Sequence, residues 1–267
     1  MDFSILSRLG LPLIGLVVSV MVITLLLAFV LGKVFGLGTK MIYLLGVGSA
    51  VCGSSAILAV APVSEAEEDE VAIAVGAVNF IGLLAMFCCV GLAWWMPQMS
   101  ADLYGSLAGG TIHAVPQVVA AAESHSGDAS AIASAVKLLR VTLLVPVVLL
   151  SVIFIARGRK TSGTAKSKSL LAYIPWFVWG FVLITLLASN QLIPDLVFPK
   201  MKESFNTVEG LTKLSSLLLA VAMAAIGLQV NIKSLLTSGG KVLVCGSLVW
   251  LGMVAAAYFM FHFYFGG

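Results

Sequence analysis

The sequence predicts an all-α polytopic membrane protein with about eight transmembrane segments, two of them interrupted, in a single membrane domain over residues 1–267. Three observations predict it. Hydrophobic residues make up 60% of the chain and charged residues 10%, whereas a soluble domain is about one quarter charged. Apolar runs of about 20 residues, long enough to cross a bilayer, recur along the chain. Two of these runs carry glycines and small polar residues at their centres.

The segments fall into two groups separated by a basic loop. They cover 10–32, 41–63, 71–96, 104–122, 131–156, 170–190, 210–232 and 241–265. Residues 1–156 form a first helical group that contains both interrupted segments. Residues 157–168 form a basic cytoplasmic loop, and residues 169–267 form a second helical group. If all eight segments cross, the excess of lysine and arginine places Lys33 and Lys40 in the cytoplasm and the acidic stretch 64–70 outside. A re-entrant segment 104–122 would change this parity.

Composition excludes several classes of partner. The net charge is only +3, and no basic run is interleaved with aromatic residues, so nucleic acid is excluded. The four cysteines lie inside apolar runs without a C-x-x-C spacing, so no metal, disulfide framework or other cofactor is expected. The lipid bilayer is the expected environment, and a homo-oligomer stays open.

The second segment contains GVGSAVCGSSAILAVAPV, with Ser49, Cys52, Gly53, Ser54 and Ser55 at its centre. Unsatisfied backbone groups in hydrocarbon cost several kcal/mol each, so irregular backbone survives only beside protein or a cavity. These residues therefore predict a discontinuous helix, whose second half begins near Ser54 or Ser55 and presents free N–H groups to an anion. Close packing of helices through small residues is the alternative.

The fourth segment repeats this pattern in LAGGTIHAVPQVVAAA. Two glycine- or proline-interrupted spans indicate a transporter binding site at the membrane midplane. His113 and Gln117 stand four residues apart and share a helix face, so both are candidate substrate ligands. A packed histidine that bonds to a neighbouring carbonyl is the alternative for His113.

The fifth segment places Lys137 and Arg140 on one helix face, with Arg140 roughly 14 Å from the segment start. All twelve acidic residues lie in loops or at segment ends. Because a carrier of cations generally needs an embedded carboxylate, the embedded Lys137 and Arg140 favour an anion as substrate. Snorkelling to the surface is the alternative, and it suits Lys137 better than Arg140.

Several motifs in order resemble one known family. VCGSSAILAVAPV, EEDEVAIAV, GTIHAVPQVVAA, KLLRVTLLVPVVLL and LAVAMAAIGLQVNIKSL resemble the proposed sulfate exporter family of YeiH-like conserved inner-membrane proteins. The resemblance implies a multi-pass protein of the bacterial inner membrane, similar to the inverted-repeat fold of cation:proton antiporters and bile-acid:sodium symporters. Members carry further helices before the segment matched by LSRLGLPLIGLVV, so this chain is expected to lack the usual N-terminal helices.

Together these features predict a secondary transporter that exports a small anion, such as sulfate or a sulfonate-related compound, by alternating access. Backbone N–H groups near Gly53 would bind the anion, Arg140 and Lys137 would balance its charge, and His113, which titrates near neutral pH, would couple transport to protons; sodium is the alternative coupling ion. A non-transporting or truncated membrane protein is one alternative function. A membrane enzyme using Cys52 and His113 as nucleophile and base is another.

Overall fold

A computed structural model of the chain describes residues 3–144 and 239–266, together with isolated positions between 146 and 225. Side chains are described from Gly10 onward. The predicted loop 157–168 and the predicted segments 170–190 and 210–232 lie outside these ranges. The described ranges form helices α1 (Phe3–Val34), α2 (Thr39–Ala50), α3 (Ser54–Ser64), α4 (Glu68–Trp95), α5 (Ala101–Thr111), α6 (Val115–Glu123), α7 (Gly127–Thr142) and α8 (Gly240–Phe265).

Three of these helices are long and apolar enough to cross a membrane. They are α1 from Gly10 onward, α4 and α8, with 25, 28 and 26 residues. At 1.5 Å per residue each exceeds the roughly 30 Å hydrocarbon core. Gly10 kinks α1 with φ 52° and ψ −148°, a backbone conformation open to glycine. These helices match the predicted segments 10–32, 71–96 and 241–265, and the all-helical membrane architecture is confirmed for the described residues.

Helix α1 runs antiparallel to α8. The Tyr264 ring lies so close to Gly15 that a Cβ there would approach it to 2.7 Å, and a Cβ on Gly252 would lie 2.6 Å from Leu27 Cδ1. The start of α1 therefore packs against the end of α8, and the later part of α1 packs against the middle of α8. We call the end of the bundle where α1 ends and α8 begins the Lys40 end, because α2 begins there as well.

Helices α2 and α3 form a hairpin that returns to the Lys40 end. Lys40 Nζ, near the start of α2, donates a 2.6 Å hydrogen bond to the carbonyl of Glu65, just after α3. Deeper in the hairpin, a Cβ on Gly48 would lie 2.7 Å from Ile57 Cγ1. With 12 and 11 residues, each arm reaches only about half the thickness of the membrane. The predicted interruption is confirmed, but the expectation that segment 41–63 crosses is wrong.

Helices α5 and α6 form a second hairpin, which starts and ends at the opposite, Trp95 end of the bundle, where α4 ends. Tyr104 Oη, at the start of α5, donates to the Ala121 carbonyl near the end of α6 at 3.1 Å. Its ring stacks on that of His125 with centroids 4.4 Å apart. Segment 104–122 is therefore re-entrant, one of the two alternatives that the sequence leaves open.

The two hairpins enter from opposite ends and meet at their tips. Helix α4 runs from the Lys40 end to the Trp95 end, so the first hairpin precedes one end of it and the second follows the other. At the tips, a Cβ on Gly53 would lie 3.5 Å from His113 Cβ. The acidic stretch 64–70 consequently shares an end with Lys40. Its predicted location on the opposite side from Lys40 is wrong, because α3 turns back.

Candidate functional site

The site is built from the two hairpin tips and the helix that follows them. The first tip is Val51, Cys52 and Gly53, with Gly53 at φ 73° and ψ −130° as the N-cap of α3. The second tip is residues 112–114, between α5 and α6. The first helix of each hairpin, α2 or α5, therefore ends in carbonyl groups that have no hydrogen-bond partner within the helix. The second helix of each, α3 or α6, begins with N–H groups that likewise have no partner within the helix. Such groups need other partners at membrane depth.

Arg140 on α7 supplies partners to the first arms of both hairpins. Its guanidinium donates to the carbonyls of Ser49 and Ala50 at the end of α2, each at 2.8 Å from Nη2. Nη1 donates to the carbonyls of Gly109 and Gly110 in α5 at 3.2 and 2.7 Å. The side chain is 1% exposed. Because Arg has five donors in a planar fork, one side chain can satisfy two helix ends at once.

Lys137, one turn earlier on α7, joins the two tips directly. Its Nζ donates to the carbonyls of Val51 and Ile112, both at 2.9 Å. Lys137 can reach the Ile112 carbonyl because α5 packs closely on α7. A Cβ on Gly109 would lie only 2.9 Å from Val136 Cβ. Neither cation snorkels: Lys137 is fully buried, as is Arg140.

The bundle centre carries positive charge. Lys137 and Arg140 are the buried charged residues of the described part of the chain, and no buried carboxylate accompanies them there. The two helix C-termini contribute about −0.5 of a charge each and the two N-termini about +0.5 each, so these four contributions cancel. What remains is the charge of the two cations, which favours an anionic ligand nearby.

A second group of polar side chains lies on the α4 side of the tips. Gly82 of α4 is packed against His113 and Gln117: a Cβ there would lie 3.3 Å from His113 Cβ and would collide with Gln117 Oε1. That same oxygen accepts a 3.3 Å hydrogen bond from the Ala114 N–H and so caps α6. The spacing of four residues does place His113 and Gln117 together, although His113 belongs to the tip rather than to the helix.

Several buried polar atoms around the tips have no hydrogen-bond partner among the residues that the structure describes. They are both ring nitrogens of His113, Gln117 Nε2, Asn79 Oδ1 and Ser49 Oγ. Asn79, 2% exposed, precedes Gly82 by three residues on α4 and so shares its face. Asn79 is not among the residues that the sequence predicts for the site. The signal was present, because it is the one amide in the apolar run VAIAVGAVNFIGLL.

The remaining candidates differ in exposure. Cys52 is buried within the first tip, Ser54 is half-buried, and the Ser55 side chain is exposed. Gly53 has no side chain to cap α3, so the N–H groups of Ser54 and Ser55 are the ones that the helix itself leaves unpaired. No hydrogen bond joins Cys52 to His113. Among the described residues, no three His, Cys, Asp or Glu side chains are grouped to hold a metal ion.

This architecture defines a multi-pass membrane protein with paired re-entrant hairpins, and comparisons with known proteins identify its family. A family model described as "Conserved hypothetical protein 698" matches residues 1–246. The chain belongs to this family. No solved structure matches it.

Curated relatives are bacterial membrane proteins. The chain is 32% identical over 265 residues to a UPF0324 membrane protein of Bradyrhizobium diazoefficiens, covering 98% of this chain and 71% of the relative. It is 39% identical over 249 residues to a UPF0324 membrane protein of Yersinia pestis, covering 89% and 66%. It is 34% identical over 258 residues to the UPF0324 inner membrane protein YeiH of Escherichia coli K12, covering 95% and 70%.

The chain thus spans about two thirds of the length of the curated relatives it matches. Together with its apolar helices, these relatives identify it as a multi-pass protein of the bacterial inner membrane.

Proposed function

We propose that this chain forms the substrate-binding part of a secondary transporter for a small anion, such as sulfate or a sulfonate-related compound. The observation that carries the proposal is the meeting of two half-membrane hairpins at buried Lys137 and Arg140, with no buried carboxylate in the described residues. Non-helical backbone at membrane depth is a feature of transporter sites. The buried positive charge supplies the preference for an anion.

Alternating access would follow from the opposed hairpins. Each hairpin fills the half of the membrane that the other leaves open, so movement of one tip against the other exposes the centre to one side at a time. His113 sits at the contact of the tips and is the candidate for proton coupling, with sodium as the alternative coupling ion. The inverted-repeat relationship is part of this proposal, supported by the opposite entry of the two hairpins.

Two other functions give different expectations. A non-transporting membrane subunit needs no unpaired polar atoms at its centre, whereas His113, Gln117 and Asn79 all have them. A membrane enzyme with Cys52 as nucleophile needs a base within hydrogen-bond reach, and His113 does not bond to Cys52 in this conformation. The anion carrier therefore accounts for more of the site than either alternative does.

The test introduces a negative charge beside the two buried cations. Cys52 lies within electrostatic range of Lys137 and Arg140, so Cys52→Asp would neutralise part of the positive centre. The matched control is Cys52→Asn, which has nearly the same shape without the charge. We expect counterflow of labelled sulfate or sulfite in proteoliposomes for the original chain and for Cys52→Asn, with at least a tenfold loss for Cys52→Asp, equivalent to about 1.4 kcal/mol.

Equal flux in Cys52→Asp and Cys52→Asn would show that the positive centre does not act on the substrate. No flux above that of empty liposomes, for any small anion and with the original chain folded, would contradict the carrier itself.

A further inference from the structure

The hydrogen-bonding atoms at the hairpin tips separate into two groups with different partners. The four side-chain nitrogen atoms of Lys137 and Arg140 all donate to backbone carbonyls, and Arg140 Nη2 also reaches Met253 Sδ at 3.9 Å. The atoms of His113, Gln117 and Asn79 named above are buried and have no partner among the described residues. The cations therefore already have hydrogen-bond partners, whereas the described part of the chain supplies none to these atoms.

Burial makes this second group costly without a ligand. His113, Gln117 and Asn79 are 1%, 0% and 2% exposed, and an unpaired buried polar group lowers stability by the full desolvation penalty. The group also lies against Gly82, whose missing side chain leaves just enough room for the Gln117 amide and His113. The N-termini of α3 and α6 begin at the same tips and add N–H donors.

The donors and acceptors in the group can be assigned individually. Gln117 Oε1 already accepts the Ala114 N–H, so its free Nε2 can only donate. Asn79 Oδ1 can only accept. His113, in either neutral tautomer, offers one N–H donor and one accepting nitrogen. A complementary ligand needs oxygen acceptors for the donors and at least one O–H or N–H of its own for Asn79 and His113.

We propose, resting on the anion-carrier function above, that the ligand binds among His113, Gln117 and Asn79, and that it is an anion carrying its own hydrogen-bond donor. A hydrogen oxyanion and a hydroxy-carboxylate both have this chemistry. A fully deprotonated sulfate only accepts, so it would leave Asn79 Oδ1 and one nitrogen of His113 unpaired. Lys137 and Arg140 stay on the helix ends and act on the ligand through their charge.

The test uses matched anion pairs on the purified original chain in detergent at pH 7. Phosphate and sulfate have the same tetrahedral shape, but only phosphate keeps a proton at this pH. Glycolate and acetate differ by one hydroxyl group. From thermal stabilisation and titration calorimetry we expect phosphate and glycolate to bind about tenfold tighter than their partners, the discrimination typical of a site with a buried group left unpaired by the wrong ligand.

A variant then assigns the preference to the group. Asn79→Leu removes the accepting oxygen while keeping the branched shape of the side chain. It should reduce the preference within each pair from about tenfold to about threefold, because the accepting nitrogen of His113 is then the one acceptor left in the group to pair with the donor. Thr142→Val is the control, since the Thr142 hydroxyl is exposed and bonds only to its own helix, at the Leu138 carbonyl. If Asn79→Leu does not fold, Asn79→Ala, which also lacks an accepting oxygen, serves in its place.

The outcomes separate this inference from the function on which it rests. Preference for the donor-bearing anions, reduced in Asn79→Leu and kept in Thr142→Val, supports it. Binding of sulfate as tight as phosphate, with acetate equal to glycolate, overturns the inference and leaves the anion carrier intact. Binding of none of the four probes overturns it as well, and anion flux in proteoliposomes then decides separately whether the carrier function stands.

Discussion

Single residues packed against the tips limit the space available to the site. Gly82 is the clearest case, because its hydrogen atom faces the Gln117 amide and the His113 Cβ. Its neighbour in the same helix, Gly91, has no heavy atom within 4 Å of the position a Cβ would take. The two glycines of this helix thus differ in whether a larger side chain would fit, and tertiary contacts account for the difference.

Gly82→Ala should therefore displace Gln117 and weaken ligand binding, whereas Gly91→Ala should not. Overpacking of a close contact costs about 1–3 kcal/mol of stability, while alanine in an open helical position is favoured over glycine by up to about 1 kcal/mol. We expect a lower melting temperature and weaker anion binding for Gly82→Ala, and an unchanged or higher melting temperature for Gly91→Ala. Equal behaviour of the two variants would mean that Gln117 is not held against α4.

At the scale of elements, the hairpins show how far sequence reasoning reaches. The Gly48, Cys52 and Gly53 cluster predicts a helix break at the correct residues, because glycine-rich polar sequence is incompatible with an isolated membrane helix. The reversal of direction could not be predicted in the same way. It depends on contacts between distant segments, such as Lys137 with Val51 and Ile112, and local sequence carries no record of which carbonyls a lysine will reach.

The candidate site shows the same limit. The depth of Lys137 and Arg140 in an apolar run predicts their place in the site, but it predicts substrate as their partner, whereas their partners in this conformation are backbone carbonyls. Asn79 is not predictable in this way, since a single amide in a long helix gives no pattern until the fold places it one turn from Gly82.

The re-entrant first hairpin gives a direct distance prediction. In a spanning helix, residues 40 and 65 would stand about 37 Å apart at 1.5 Å per residue, but the Lys40 side chain bonds to the Glu65 carbonyl. In a variant lacking the four native cysteines, Lys40→Cys with Glu65→Cys should form a disulfide on mild oxidation. Lys40→Cys with Gly127→Cys, at opposite ends of the bundle, is the control and should not. A first pair that stays reduced under the same oxidant would argue against the hairpin.

At the scale of the whole molecule, the described lysines near helix ends are unevenly distributed between the two ends of the bundle. Lys33, Lys40 and Lys241 lie at the Lys40 end, where α1 finishes and α2 and α8 begin. The Trp95 end carries Asp102, Glu123 and Asp128 at helix termini. Lysine and arginine, rather than acidic residues, determine orientation in the bacterial inner membrane. The Lys40 end should therefore face the cytoplasm, and the acidic stretch 64–70 with it.

Labelling of whole cells with a membrane-impermeant thiol reagent tests this orientation. In the background without native cysteines, Asp128→Cys at the Trp95 end should react from outside, whereas Glu67→Cys at the Lys40 end should react only after the membrane is permeabilised. Both positions are at helix ends rather than in the bundle. The reverse pattern would invert the orientation without changing the fold, and external labelling of both would contradict the shared end of Lys40 and residues 64–70.

The attachment of both tips to the one amine of Lys137 has a mechanical consequence. Each tip has a carbonyl 2.9 Å from that nitrogen, so one atom bonds directly to both tips. If one tip withdrew, its hydrogen bond to the Lys137 amine would break. The amine would then remain bonded to the other tip and hold it in place. In the proposed carrier, this shared bond would oppose simultaneous withdrawal of both tips, which is the event that would let ions leak across the membrane.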